Sequence, residues 1–243
     1  MSVPPMQPRP SRASPAPPAE PSERSQPPDR GRADRGVEAG RRDAGDHRET
    51  GRLERAASSG SLAWAGYAAC AWLIAYAVIV RGYQGIGGTV GLAGTFEDPT
   101  AIRQASLVAG AFILLAGLGA LALVRPWGLR IPRWLVIGPA LAGAAYAAAH
   151  ALTAYLTKPL HVAGAIDLEF RGWARVDEGE LIAWDLLFYE PWFLGVGILI
   201  GLATLHHHAR TGGSAAGRRR LVVAALAAVF ALTAVSTAQL VLG

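Results

Sequence analysis

Five stretches of this chain are apolar for longer than a soluble core helix needs: Leu62 to Val80, Ala105 to Val124, Trp134 to Leu156, Leu181 to Leu205 and Leu221 to Leu242. Roughly 20 apolar residues in a helix span the hydrocarbon of a bilayer. Inside lipid a backbone must satisfy its own polar groups, which only helices and closed barrels do. Runs rich in Ala, Leu, Val and Gly therefore predict an all-α fold, a multi-pass transmembrane helix bundle of about five helices. The fourth run differs from the others, because Asp185, Glu190 and Pro191 interrupt its first half. It is longer than a bilayer core, so its first turn is expected among headgroups.

Composition breaks sharply near residue 60. Met1 to Gly60 is dominated by Pro, Arg, Ser, Ala and acidic residues and holds no Phe, Trp, Tyr or Ile, so it cannot offset its ordering entropy. This stretch is expected to be a disordered Pro/Arg-rich cytoplasmic tail, and residues 61–243 the transmembrane helical domain. Scattered prolines and arginines in Met1 to Ser14 replace the apolar core of a secretory signal. The single cysteine, Cys70, lies in an apolar run, which rules out an intrachain disulfide or a CxxC redox pair.

The net charge of +5 could suggest nucleic acid, yet the arginines are not interleaved with aromatics and most outside the tail flank apolar runs. Nucleic acid is therefore not an expected partner; the lipid bilayer is, together with other membrane proteins or a second copy of the chain. The connections explain the charge. Arg125 to Arg133 carries Arg125, Arg130 and Arg133, and His206 to Arg220 carries Arg210, Arg218, Arg219 and Arg220, neither with any Asp or Glu. Arg81 to Gln104 and Thr157 to Glu180 hold Glu97, Asp98, Asp167, Glu169, Asp177, Glu178 and Glu180. Basic residues resist translocation, so the first pair of connections is expected inside a bacterial plasma membrane and the second pair outside. That puts the N-terminus in the cytoplasm and Gly243 outside. Trp127 and Trp134 at the inner hairpin, and Tyr83, Trp173, Trp184 and Trp192 at the outer ends, read as interfacial belts.

Three elements recur in an order that is familiar: Gly87-Gly88-Thr89-Val90-Gly91-Leu92, Leu123-Val124-Arg125-Pro126-Trp127-Gly128, and Trp184-Asp185-Leu186-Leu187-Phe188-Tyr189-Glu190-Pro191-Trp192. Over Leu62 to Leu205 the chain resembles an uncharacterised family of small four-helix membrane proteins of high-GC Gram-positive bacteria, catalogued as domain of unknown function 3995. The resemblance implies a fold and a location. The family has no established activity and supplies no catalytic residues. The long tail and the fifth apolar run, Leu221 to Leu242, depart from its pattern.

Ionisable groups inside a span are rare, and by default they mark a site with a partner. Glu190 falls about one turn below the outer boundary, and His150 on the antiparallel third helix reaches a similar depth. Tyr146, His150, Thr153 and Thr157, spaced by four, three and four, share one polar face. We therefore expect a ligand or proton site built from Glu190, His150, Tyr146, Thr153 and Asp185, with Glu190 and His150 hydrogen-bonded. The bland alternative makes Glu190 an interfacial cap beside Pro191 and His150 a partner of a neighbouring Thr or Tyr. Gly138, Ala142, Ala145 and Ala149 form an adjacent small-residue stripe suited to helix contact.

Other motifs point nowhere sharper. His206, His207 and His208 are consecutive, so their rings diverge and close no coordination sphere; a solvated helix end is expected, and no metal. The glycines from Gly85 to Gly91 follow a membrane helix and miss nucleotide-loop spacing, so no cofactor is expected. Thr233, Ser236, Thr237 and Gln239 give the last helix a polar edge. Hydrolase triads, HExxH and P-loops do not occur, which leans away from an enzyme and names no catalytic residue. Three functional classes remain: an assembly subunit or binder of a small apolar or lipid-like ligand, a small proton-coupled carrier using Glu190 and His150, and a lipid- or quinone-active membrane enzyme.

Overall fold

A computed structural model describes residues 62–242, so the tail expected over Met1 to Gly60, and Gly243, lie outside the described residues. Five helices follow: α1 (Ala63–Gly85), α2 (Pro99–Ala122), α3 (Arg133–Val162), α4 (Glu178–Arg210) and α5 (Ala215–Leu242). Each is long and apolar enough to cross a membrane, and the chain is an all-α, multi-pass membrane protein.

The helices overrun the limits that hydropathy sets. α1 continues past Val80 to Gly85, α2 begins at Pro99 and not Ala105, and α3 continues past Leu156 to Val162. α4 spans Glu178–Arg210 where Leu181 to Leu205 was expected, and α5 begins at Ala215, ahead of Leu221. The cause is local. Asp98 caps α2, accepting from the Thr100 and Ala101 N–H groups at 2.9 and 3.0 Å, with Pro99 in the first turn. Asp177 accepts from Glu180 N–H at 2.9 Å, and Glu178 and Glu180 sit favourably at the positive end of α4. A hydropathy window stops at the first charge; a capped helix does not.

In space the helices run in the order α2, α1, α4, α3, α5, each packed on its neighbours. α4 is central. Consequently α2 and α3 barely touch, and α5 rests almost wholly on α3. The buried core is built mostly from small residues, including Ala65, Ala69, Ala144 and Ala203, around Leu73 and Leu123. With no water between helices to expel, close backbone approach is the main source of packing energy. Gly197 shows it: a Cβ there would sit 2.9 Å from the Ala144 carbonyl oxygen and 3.1 Å from Ala148 N, so only glycine lets α4 meet α3. The expected stripe is shifted accordingly. Ala145 and Ala149 are buried, but Gly138 and Ala142 face outward, and the α4 contact uses Ala144 and Ala148 instead.

At one end of the bundle the two long connections pair as a small antiparallel sheet, β1 (Gly94–Phe96) with β2 (Trp173–Val176). Gly94 opposes Val176 and Thr95 opposes Arg175; an irregularity then aligns Phe96 with Trp173, whose ring centroids lie 4.1 Å apart. This sheet end is where α1 finishes and α4 starts. Trp192, expected in an interfacial belt, instead stacks inward on Trp72 at 4.6 Å and Tyr76 at 5.2 Å.

The opposite, arginine-rich end is closed by a 3₁₀ turn, Pro126–Arg130, in which Gly128 is obligatory because a Cβ would lie 1.7 Å from the Ala122 carbonyl oxygen. Here the expectation of solvated histidines is overturned: His206, His207 and His208 are all buried. His207 Nδ1 donates to the Leu123 carbonyl at 3.2 Å, and Arg210 donates to the Val124 carbonyl at 2.5 Å. His208 Nδ1 bonds Arg133, and its Nε2 donates to the Ser214 carbonyl at 3.3 Å. The C-terminus of α2 leaves carbonyls unpaired, and these side chains satisfy them. The rings hold a helix junction together; they do not converge.

Candidate functional site

Two helices change pitch at the sheet end. α1 is π-helical over Tyr76–Gly82 and α4 over Asp185–Tyr189, and such segments are rare in helices and concentrate at functional sites. Both border one cavity of about 500 Å³ between α1, α2, α3 and α4, with Phe96 and Trp173 of the sheet contributing to its wall. Tyr76, Arg81, Asp185 and Tyr189 line it from the π segments, with Glu190 and His150 beside them.

The ionisable groups form a cluster around a residue that hydropathy assigns to a loop. Lys158, carried on the extension of α3, sets its ammonium 2.6 Å from Asp185 Oδ2 and 3.3 Å from Glu190 Oε1. The Glu190 side chain is only 3 % exposed. Its other oxygen, Oε2, is buried with no hydrogen-bond partner among the described residues. His150 Nε2 approaches Glu190 Oε1 to 3.7 Å, so the expected hydrogen bond between the two is replaced by a longer approach, and Lys158 takes the direct contact.

The remaining expected members divide. Tyr146 stacks on His150 with ring centroids 6.2 Å apart and is otherwise exposed on the flank of the bundle. Thr153 is buried with no partner for its hydroxyl among the described residues, while Thr157 donates to the Thr153 carbonyl at 2.9 Å. A second cavity of about 390 Å³ lies between α3 and α5, where Tyr146, Thr153 and Lys158 meet Ser236 and Gln239. Glu190 and His150 border both cavities.

On the far wall of the first cavity Arg81 lies 5.5 Å over the Tyr76 ring and donates to Gln84 Oε1 at 3.2 Å. Gln84 is buried and donates in turn to Tyr189 OH at 3.4 Å, which donates to the Gly91 carbonyl at 3.1 Å. Tyr76 and Arg81 are five residues apart; an α-helix turns them away from each other, and the i→i+5 pitch brings them together.

A third, mostly apolar groove of about 390 Å³ opens between α2 and α3 toward the arginine end, with Ile200 of α4 also lining it. Its walls include Leu115, Leu123, Leu135 and Gly143. The polar cavity uses Ile102 to Ala109 of α2 and Tyr146 and His150 of α3, so the two lie in series along one divergence between the same helices. Among the described residues no group of three or more His, Cys, Asp or Glu side chains is placed to hold a metal ion.

No protein-family model, no curated protein and no solved structure matches the chain. The chemistry of the site therefore speaks through its own residues: a cavity with fixed charges and hydrogen-bond donors, and, further along two of the same helices, an apolar groove.

Proposed function

We propose that the protein binds a lipid-like amphiphile between α2 and α3, with the polar head in the cavity beneath the sheet and the chain in the apolar groove. The observation that carries this reading is the serial arrangement of those two spaces along one pair of separated helices. Pockets of several hundred Å³, mostly apolar with a few convergent polar groups, are the usual shape of small-molecule sites. The membrane in question is a bacterial plasma membrane, with the arginine-rich end in the cytoplasm, as the distribution of basic residues favours. The site then lies near the outer surface, and a place in the uncharacterised family named above agrees with this reading.

The test is native mass spectrometry of the full chain extracted from its own membrane in a mild detergent. The expected spectrum carries a retained amphiphile that disappears in Gly143→Phe, a substitution into the groove at a glycine whose Cβ position would meet nothing within 4 Å. A bare wild-type mass, or an adduct unchanged in the variant, would contradict the proposal.

One observation favours a second reading, a proton-coupled carrier: Glu190 borders cavities on two sides of α3 and α4, with Lys158 as counter-ion. In proteoliposomes such a carrier dissipates a proton gradient and Glu190→Gln abolishes this. A simple binder leaves the gradient intact.

A further inference from the structure

We infer that the head of the bound amphiphile is acidic and that Arg81 is its anchor. This rests on the amphiphile reading above and adds the charge of the ligand to it. Arg81 is a cation set into the wall of a cavity inside the bundle, and among the described residues no carboxylate lies within the 4.0 Å of an ion pair. The two acids of the same cavity, Asp185 and Glu190, are both engaged by Lys158. A guanidinium offers five donors in a planar fork. Within the described residues the hydrogen bond that Arg81 makes goes to a neutral group, the Gln84 amide. The Nε–H is buried and has no acceptor.

An unused donor buried from water is costly, and the partner that best relieves it is a planar or tetrahedral oxyanion. Carboxylate and phosphate share that chemistry. The guanidinium is also held in place before any ligand arrives, by the Tyr76 ring beneath it and by the Gln84, Tyr189 and Gly91 relay behind it. Preorganisation of this kind reduces the entropy lost on binding. Arg103, near Gly87 at the same end of the bundle, does not line the cavity and serves as the control.

The experiment uses the purified full chain in a mild detergent, titrated with phosphatidylglycerol, oleate, the neutral diacylglycerol diolein and inorganic phosphate, and read by native mass spectrometry. The two acidic amphiphiles should bind at least about tenfold more tightly than diolein, which has no oxyanion, and about tenfold is the scale of one charge-assisted contact. Arg81→Gln should erase that preference and leave diolein binding unchanged; Arg103→Gln should preserve it. The wild-type preference needs no variant, so it decides the question even where Arg81→Gln fails to fold. Equal binding of acidic and neutral amphiphiles, or an unchanged preference in folded Arg81→Gln, overturns the inference while leaving the cleft intact. Failure of the amphiphile reading looks different: inorganic phosphate alone binds through Arg81, and Gly143→Phe changes nothing.

Discussion

Replacing Lys158 by Met keeps the length of the side chain and removes the one ammonium that contacts both Asp185 and Glu190. Removing one partner of a buried pair costs about 3–5 kcal/mol, because the remaining charge is stranded in low dielectric. Asp185 is 21 % exposed and can turn toward water, whereas Glu190, at 3 %, cannot, so the loss should fall near the lower end, about 3 kcal/mol. At about 2–4 °C per kcal/mol for a chain of this size, the apparent Tm should drop by about 6–12 °C. Glu190→Gln alone leaves the tighter Lys158–Asp185 contact and should cost about 1 kcal/mol. The decisive variant is the double one, Lys158→Met with Glu190→Gln, which strands no charge at the more buried position. It should recover more than half of the single-variant loss. Thermal unfolding in one detergent, followed by tryptophan fluorescence, reads all four proteins. A drop below about 2 °C for Lys158→Met, or plain additivity in the double variant, would refute a coupled buried cluster.

Further outcomes follow from packing and topology. Gly197→Ala drives a Cβ to 2.9 Å from the Ala144 carbonyl oxygen and should cost about 1–3 kcal/mol, seen as a lower apparent Tm with the oligomeric mass unchanged. His207→Leu removes the donor that satisfies the Leu123 carbonyl at 3.2 Å in a fully buried site and should cost about 1–3 kcal/mol by the same assay. In a Cys70→Ala background, a cysteine at Glu169 should react with an impermeant maleimide on intact cells, and one at Leu129 only after permeabilisation.

Legibility in the sequence stopped where helices outlast their apolar residues. Five runs of apolar residues were enough for the class of fold and the number of spans, because lipid leaves a backbone few alternatives. The same criterion hid Lys158. A lysine followed by Pro159 looks like the start of a loop, yet α3 continues through both, since a proline costs a helix one N–H bond and a local clash that neighbouring packing can absorb. Following the face of Tyr146, His150 and Ala154 one further turn would have reached Lys158. Arg81 was hidden for a related reason: it sits in a π segment, and a helical wheel of α pitch turns it away from Tyr76. The buried histidines were misread because consecutive polar residues at a helix end usually face water, and only the fold shows that the Leu123 and Val124 carbonyls need them.

The claim on which the account stands is that an amphiphile occupies the divergence between α2 and α3, and photolabelling tests it most directly. A fatty-acid probe with a diazirine in its tail, irradiated with the full chain in its native membrane and mapped by peptide mass spectrometry, should place adducts on Leu115 to Leu123 and on Leu135 to Gly143. Adducts concentrated on the outward face of α5, at Val223, Leu226 and Phe230, would show lipid touching only the periphery and would contradict the account.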